Sequence, residues 1–128
     1  VQTDNPTNKE IIRAFFRDIR AGENLDAARQ YLAPRVIAHQ LCSEDPIEIE
    51  RTPENYAEHI AEMIDACQNF SIALDAVIAD GSDVYARWTQ RGIYTLQDDD
   101  GIETRQPITE FASAVYRLEA DKIVEYWI

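Results

Sequence analysis

The hydrophobic period of this chain changes at Phe70. Before it, apolar residues recur at helical spacing. After it they alternate, and the alternating runs are separated by short turn signals. Helices first and hairpin-linked strands afterwards argue against a parallel βαβ fold and predict an α+β domain with a mostly antiparallel sheet. With 128 residues there is room for one domain, spanning 1–128, around one core.

In the N-terminal half, Thr7 and Glu10 have the spacing of a capping box. Ile11, Ile12, Phe15, Phe16 and Ile19 then mark one face of a helix that Gly22 stops. Asn24 is expected to cap a second helix, Leu25 to Leu32, before Pro34. Val36 to Leu41 reads as a short strand carrying His39. Cys42 to Arg51 is acidic and irregular, and is expected to loop over a pocket mouth with Glu44 and Asp45 solvated. Thr52 before Pro53 starts a third helix, whose apolar stripe is Tyr56, Ile60, Met63, Ile64 and Cys67. His59 lies off that stripe, between Glu58 and Glu62, on a solvated face.

In the second half, strands are predicted over Ser71 to Ala79, Val84 to Leu96, Ile108 to Leu118 and Lys122 to Ile128. Asp80-Gly81 and the acidic stretch Gln97 to Gly101 are the turns. Ala86, Trp88, Gln90 and Tyr94 share one face of their strand, and Arg87, Thr89 and Arg91 the wetter other. Ala112, Ala114 and Tyr116 share a face, and Glu110 has their parity, either at a pocket mouth or as a surface charge. A three-residue loop of Glu119, Ala120 and Asp121 places Tyr116 beside Val124 and Ala114 beside Tyr126. A two-residue turn would flip that register and reverse the last strand. The alanines leave volume that Trp88, Tyr116 and Tyr126 frame, unless helix side chains fill it. A buried Gln90 needs a hydrogen-bond partner, which a ligand or a trapped water supplies.

Charge removes several functions. At −12 the surface repels phosphate backbones, and no cluster of Lys and Arg offsets this, so neither nucleic acid nor an anionic membrane is an expected partner. No apolar run approaches the roughly 20 residues that span a bilayer, and no segment reads as a signal peptide. Cys42 and Cys67 are isolated, fit a reducing cytoplasm and are expected to be packing residues. No metal site and no cofactor are expected: metal-ligand spacings, phosphate-cradling Gly-rich loops and nucleophile elbows are all missing from the sequence.

The segments NKEIIRAFFRDIRAGENLDAARQYLAPRVIAHQ, DGSDVYARWTQRG and VYRLEADKIVEYW, in that order, resemble SnoaL-like proteins of the polyketide cyclase type. The resemblance implies the cone of the nuclear-transport-factor-two superfamily: three helices on a strongly curved, mixed, mostly antiparallel sheet with one pocket. It also implies a pocket role for His39, as base or orienting group. Ala114 falls where related isomerases carry a protonated Asp. Trp88 and Gln90 fall where related epoxide hydrolases carry Arg and Asp, and Ile128 where both hydrolases and many SnoaL-like chains have an Asp. Epoxide hydrolysis by an arginine and two aspartates is therefore not expected.

Two functions follow. One is a cofactor-independent cyclase, isomerase or hydrolase acting on a small apolar carbonyl or polycyclic compound. In it His39 is catalytic and points into a pocket framed by Trp88 and Tyr126, with Gln90, Tyr116, Tyr126 and Glu110 against the ligand. The other is a non-catalytic domain that binds an apolar or aromatic small molecule, or dimerises. In either, Phe111, Val115 and Trp127 point away from the pocket, and an exposed row with Phe and Trp predicts a homodimer through the outer sheet face.

Overall fold

The first helix begins where its cap places it. The computed structural model describes residues 7–40 and 46–128. Helix α1, Asn8–Phe15, starts at Thr7, whose Oγ1 accepts from the Glu10 amide at 3.2 Å. It continues as a single π turn, Phe16–Arg20, closed by the Ala21 N–H donating to the Phe16 carbonyl at 2.8 Å. Gly22 ends it with φ +79°, a left-handed conformation that favours glycine, and the tip of Ile64 packs into the space a Cβ would take.

The second helix is shorter than expected: a 3-10 turn, Leu25–Ala27, then α2, Ala28–Tyr31. Asn24 does not cap it with its side chain; its backbone N–H donates instead to the Asp18 carbonyl at 2.8 Å. Strand β1, Leu32–Gln40, begins at once. Pro34 sits in the stretch between Leu32 and Ile37 where pairing with the last strand, Lys122–Trp127, is irregular, so its missing N–H costs the ladder nothing.

The stretch expected to be a loop contains a strand. β2, Ile47–Arg51, pairs antiparallel with β1 from Val36↔Arg51 to Gln40↔Ile47. The alternation Ile47-Glu48-Ile49-Glu50 was the signal, masked by its acidity. Glu44, Asp45 and Cys42 lie outside the described residues. Helix α3, Pro53–Asp65, has a reciprocal cap: Thr52 Oγ1 accepts from the Asn55 amide and Asn55 Oδ1 from the Thr52 amide, each at 3.1 Å. Cys67 packs as expected, its Sγ against Gly92.

Four further strands follow: β3, Cys67–Asp80; β4, Asp83–Gln97; β5, Glu103–Glu119; and β6, Lys122–Trp127. The sheet order is β2-β1-β6-β5-β4-β3, and only β1 and β6 run parallel. This is the mixed, mostly antiparallel sheet the sequence predicts. No described helix is long and apolar enough to cross a membrane.

The last hairpin starts in the two-residue register and then leaves it for a third, so the expected pairs Tyr116 with Val124 and Ala114 with Tyr126 are corrected. Its turn has two residues, Ala120 and Asp121, at φ 50° and 66°. Glu119 therefore pairs with Lys122 and Leu118 with Ile123. A β-bulge then follows: Arg117 pairs with Glu125, so Val124 is the extra residue. The bulge restores the parity that the turn had shifted. Tyr126 stands opposite Tyr116 and is buried, while Trp127 stands opposite Val115 on the outer face.

Candidate functional site

Parity decides where His39 points. Along β1, Val36 and Ala38 are buried against the helices, which turns Ile37 and His39 to the other side of the sheet. His39 pairs with Trp127 and stacks on its ring, with centroids 5.2 Å apart and planes at 7°. Its Nε2 donates to Glu125 Oε2 at 2.6 Å. Arg117 covers Trp127 at 5.0 Å and reaches Asp83 and Glu125 at 3.2 Å each. The expectation that this ring points among Trp88 and Tyr126 is thus corrected: His39 belongs to a stacked, ion-paired cluster on the outer face. Val36, Ile37 and Ala38 are all apolar, so the sequence carried no contrast to fix the strand's inner side.

Trp88, Gln90, Tyr116 and Tyr126 are brought together inside, as expected, and all four are buried. The volume beside Ala86 and Ala114 is occupied by rings from the helices. Phe16 lies 5.1 Å from Trp88, Phe15 5.6 Å from Tyr116 and Tyr56 6.0 Å from Tyr126. The ordinary alternative, helix side chains filling the space, describes this part of the interior. Gln90 donates to Met63 Sδ at 3.9 Å, a weak acceptor. Glu110 pairs across the strands with Gln90 but is exposed. Burial pushes the phenols of Tyr116 and Tyr126 above their usual range, with Arg20 pulling against it at both and Arg51 at Tyr126. Both stay protonated donors at neutral pH.

The interior also holds a residue the sequence reading passed over. Arg20, at the end of the π turn, is 7% exposed. Its guanidinium sits 5.0 Å above the Trp88 ring and 5.9 Å from that of Phe16, with Tyr56, Tyr116 and Tyr126 as its polar surroundings. Its Nε has no hydrogen-bond partner, and among the described residues no carboxylate pairs with it. The signal was present: Ile12, Phe16 and Arg20 are successive i+4 positions on the buried stripe. Arg51, at the end of β2, also has a buried Nε without a partner. His59, near both arginines, is exposed as expected. Burial, with Arg51 and Arg20, holds its imidazole below the usual range, and Glu62 pulls it up.

Outside the interior, a cleft of about 220 Å³ lies between α2, β1 and α3, lined by Leu32, Pro34, Thr52 and Pro53. The Arg29–Glu54 ion pair and Lys122 border it, Lys122 Nζ donating to the Arg29 carbonyl at 2.5 Å.

One six-stranded mixed sheet under three helices is an α+β fold consistent with the nuclear-transport-factor-two-like cone. Residues 10–128 match the family described as SnoaL-like polyketide cyclase, and the chain belongs to that family. Its fold is similar to that of a protein assigned as a polyketide cyclase from Acidithiobacillus ferrooxidans, with a TM-score of 0.75 and 21% identity over 98% of this chain and 89% of that one. IdmH from Streptomyces antibioticus, assigned likewise, gives 0.76 and 17% over 95% and 90%. An LEH-like epoxide hydrolase from M. tuberculosis gives 0.66 and 15% over 94% and 79%. At these identities the likeness carries the fold and not the chemistry. No curated protein sequence matches the chain.

Proposed function

We propose that the chain takes a small apolar or aromatic carbonyl compound into the cone interior and acts on it, without a cofactor, in the manner of a cyclase or isomerase. The observation that carries this reading is Arg20, a charged fork buried on Trp88 with no carboxylate partner among the described residues. A carbonyl oxygen that gains negative charge during enolisation or aldol-type ring closure is what such a fork stabilises. Tyr116, Tyr126 and Gln90 add donors, with Glu110 at the rim beside Gln90. Met63 and the stem of Arg20 are the flexible linings that yield volume, while Trp88 and the tyrosines keep their places. His59, uncharged at neutral pH, is the proton acceptor in this scheme. His39 is then a strut of the outer face rather than a base.

The rival, a non-catalytic binding domain, is supported by one observation: Trp88, Gln90, Tyr116, Tyr126 and Arg20 include no group that accepts a proton at neutral pH. One experiment separates the two. A Trp127→Phe variant retains Trp88 as its single tryptophan, since the chain has two. 2-Acetonaphthone is expected to quench it saturably, and the enzyme reading further expects faster deuterium exchange of the acetyl protons, lost in His59→Ala. Binding without exchange selects the rival; quenching that never saturates contradicts both.

We also propose that two copies join through the outer sheet face, inside a reducing cytoplasm that suits the free Cys67 thiol. Phe111 is 76% exposed there, beside a shallow depression lined by Arg87, Ala112 and Ser113. Val115 and Trp127 are only partly exposed, because His39 and Arg117 cover Trp127. Light scattering is expected to give twice the 14.7 kDa chain mass, and the single mass for Phe111→Glu. A wild-type protein of single mass would end this proposal.

A further inference from the structure

We infer that the ligand of the cone is an anion, a planar two-oxygen group such as a carboxylate or an ionised 1,3-dicarbonyl enol on an aromatic body, bound by the in-plane edge of Arg20. This rests on the interior being the ligand site, and it narrows the substrate class.

The starting point is how the arginines are partnered, Arg13, Arg87, Arg91 and Arg105 being exposed and left to water. Arg17, Arg29 and Arg35, which water would solvate, pair with Asp18, Glu54 and Glu50. The half-exposed Arg117 pairs with Asp83 and Glu125. Arg20, where a charged partner matters most, has no carboxylate among the described residues and only the neutral Tyr56 hydroxyl as a hydrogen-bonding neighbour. Scarcity is not the reason: the chain has 24 acidic residues against 12 Lys and Arg. Folding tolerates a buried charge poorly unless something compensates it. The faces of Trp88 and Phe16 compensate part.

Geometry says what the rest should be. The guanidinium carbon lies 5.0 Å from the Trp88 ring centroid, and the buried Nε has no acceptor, so the group retains an N–H that a planar acceptor can meet. A two-oxygen anion meets a guanidinium with two parallel hydrogen bonds. Arg51, at the end of β2, has like Arg20 a buried Nε without a partner, and the charges of both bear on Tyr126 and His59. The aromatic body is required by the walls, which are Trp88, Tyr116, Tyr126 and Tyr56. The −12 surface repels any anion, and a small inorganic one gains nothing from these walls to offset that, whereas an aromatic body does.

The test compares 2-naphthoate with 2-acetonaphthone, which share size and shape but not charge. In the Trp127→Phe background at low salt and pH 7.5, naphthoate is expected to bind at least about tenfold more tightly than the ketone. Arg20→Met is expected to cost naphthoate about tenfold or more and the ketone no more than about threefold, with Arg20→Lys between because it keeps the charge and loses the fork. Equal affinities, or naphthoate binding unmoved by Arg20→Met, overturn the inference while leaving the carbonyl reading in place. If neither compound binds, the interior is not the ligand site and both fall. Should Arg20→Met fail to fold, His59 in the wild-type protein decides by NMR. The charges that act on it are Arg51 at the end of β2, Arg20 at the end of the π turn and Glu62 on its own helix. Saturating naphthoate raises its titration midpoint and the ketone does not; an unmoved midpoint overturns the inference.

Discussion

Trp88→Ala lowers the unfolding free energy by about 3–5 kcal/mol, read from urea unfolding by linear extrapolation. The ring is 1% exposed, midway along β4, with Phe16 5.1 Å away on one side. Its removal opens a cavity that Ala86 and Ala112 are too small to close. It also takes the π face from beneath Arg20, 5.0 Å above, and leaves that cation against a void. The loss therefore combines a packing term and an electrostatic one and falls toward the upper end of the range. A loss below about 1 kcal/mol, the size of an ordinary surface change, would show that the interior is not packed around this ring.

Most of the architecture was legible because it rests on periodicity and turn chemistry. The stripe Ile11, Ile12, Phe15, Phe16, Ile19 and the Thr52 cap are local signals, and each forms as read. Strand β2 was missed because Glu48 and Glu50 gave the segment the composition of a loop, although Ile47 and Ile49 alternate with them. The last hairpin shows what local reading omits. Its turn reversed the favoured register and the bulge at Val124 reversed it again, so Tyr126 and Trp127 face the expected sides by a different route. No local residue signal announces a bulge of this kind; it is set by the need to bury Ile123 and Tyr126 together.

The site was legible in part. Alternation alone put Trp88, Gln90, Tyr116 and Tyr126 on inner faces. It could not orient His39, because Val36, Ile37 and Ala38 are equally apolar and the sheet buries one side while stacking the other on Trp127. Arg20 went unremarked for the opposite reason. An arginine at the end of an amphipathic helix is read as solvated, and only the tertiary packing of Trp88 and three tyrosines shows it enclosed.

If Arg20 waits for an anion, it is a liability until the anion arrives. Replacing a buried ion pair by apolar side chains of similar volume is often neutral or stabilising, by about 1–4 kcal/mol, because the desolvation cost disappears, and a lone buried charge carries the same kind of cost. Methionine keeps the unbranched shape and still contacts Trp88 and Phe16 favourably through its sulfur. Arg20→Met is therefore expected to be more stable than the wild type by about 1–3 kcal/mol without ligand, part of the gain being offset by the lost cation–π contact. A structural arginine predicts the reverse sign. The bound state reverses the order, since a ligand present at 100 times its dissociation constant stabilises the protein that binds it by about 2.7 kcal/mol. The most direct measurement is calorimetric unfolding of the wild type and Arg20→Met, each with and without 2-naphthoate. The predicted result is that the variant melts higher without ligand, and that naphthoate raises the wild type by clearly more than it raises the variant. A variant that melts lower, with naphthoate shifting both proteins equally or neither, would contradict Arg20 as the anion-binding centre of the cone.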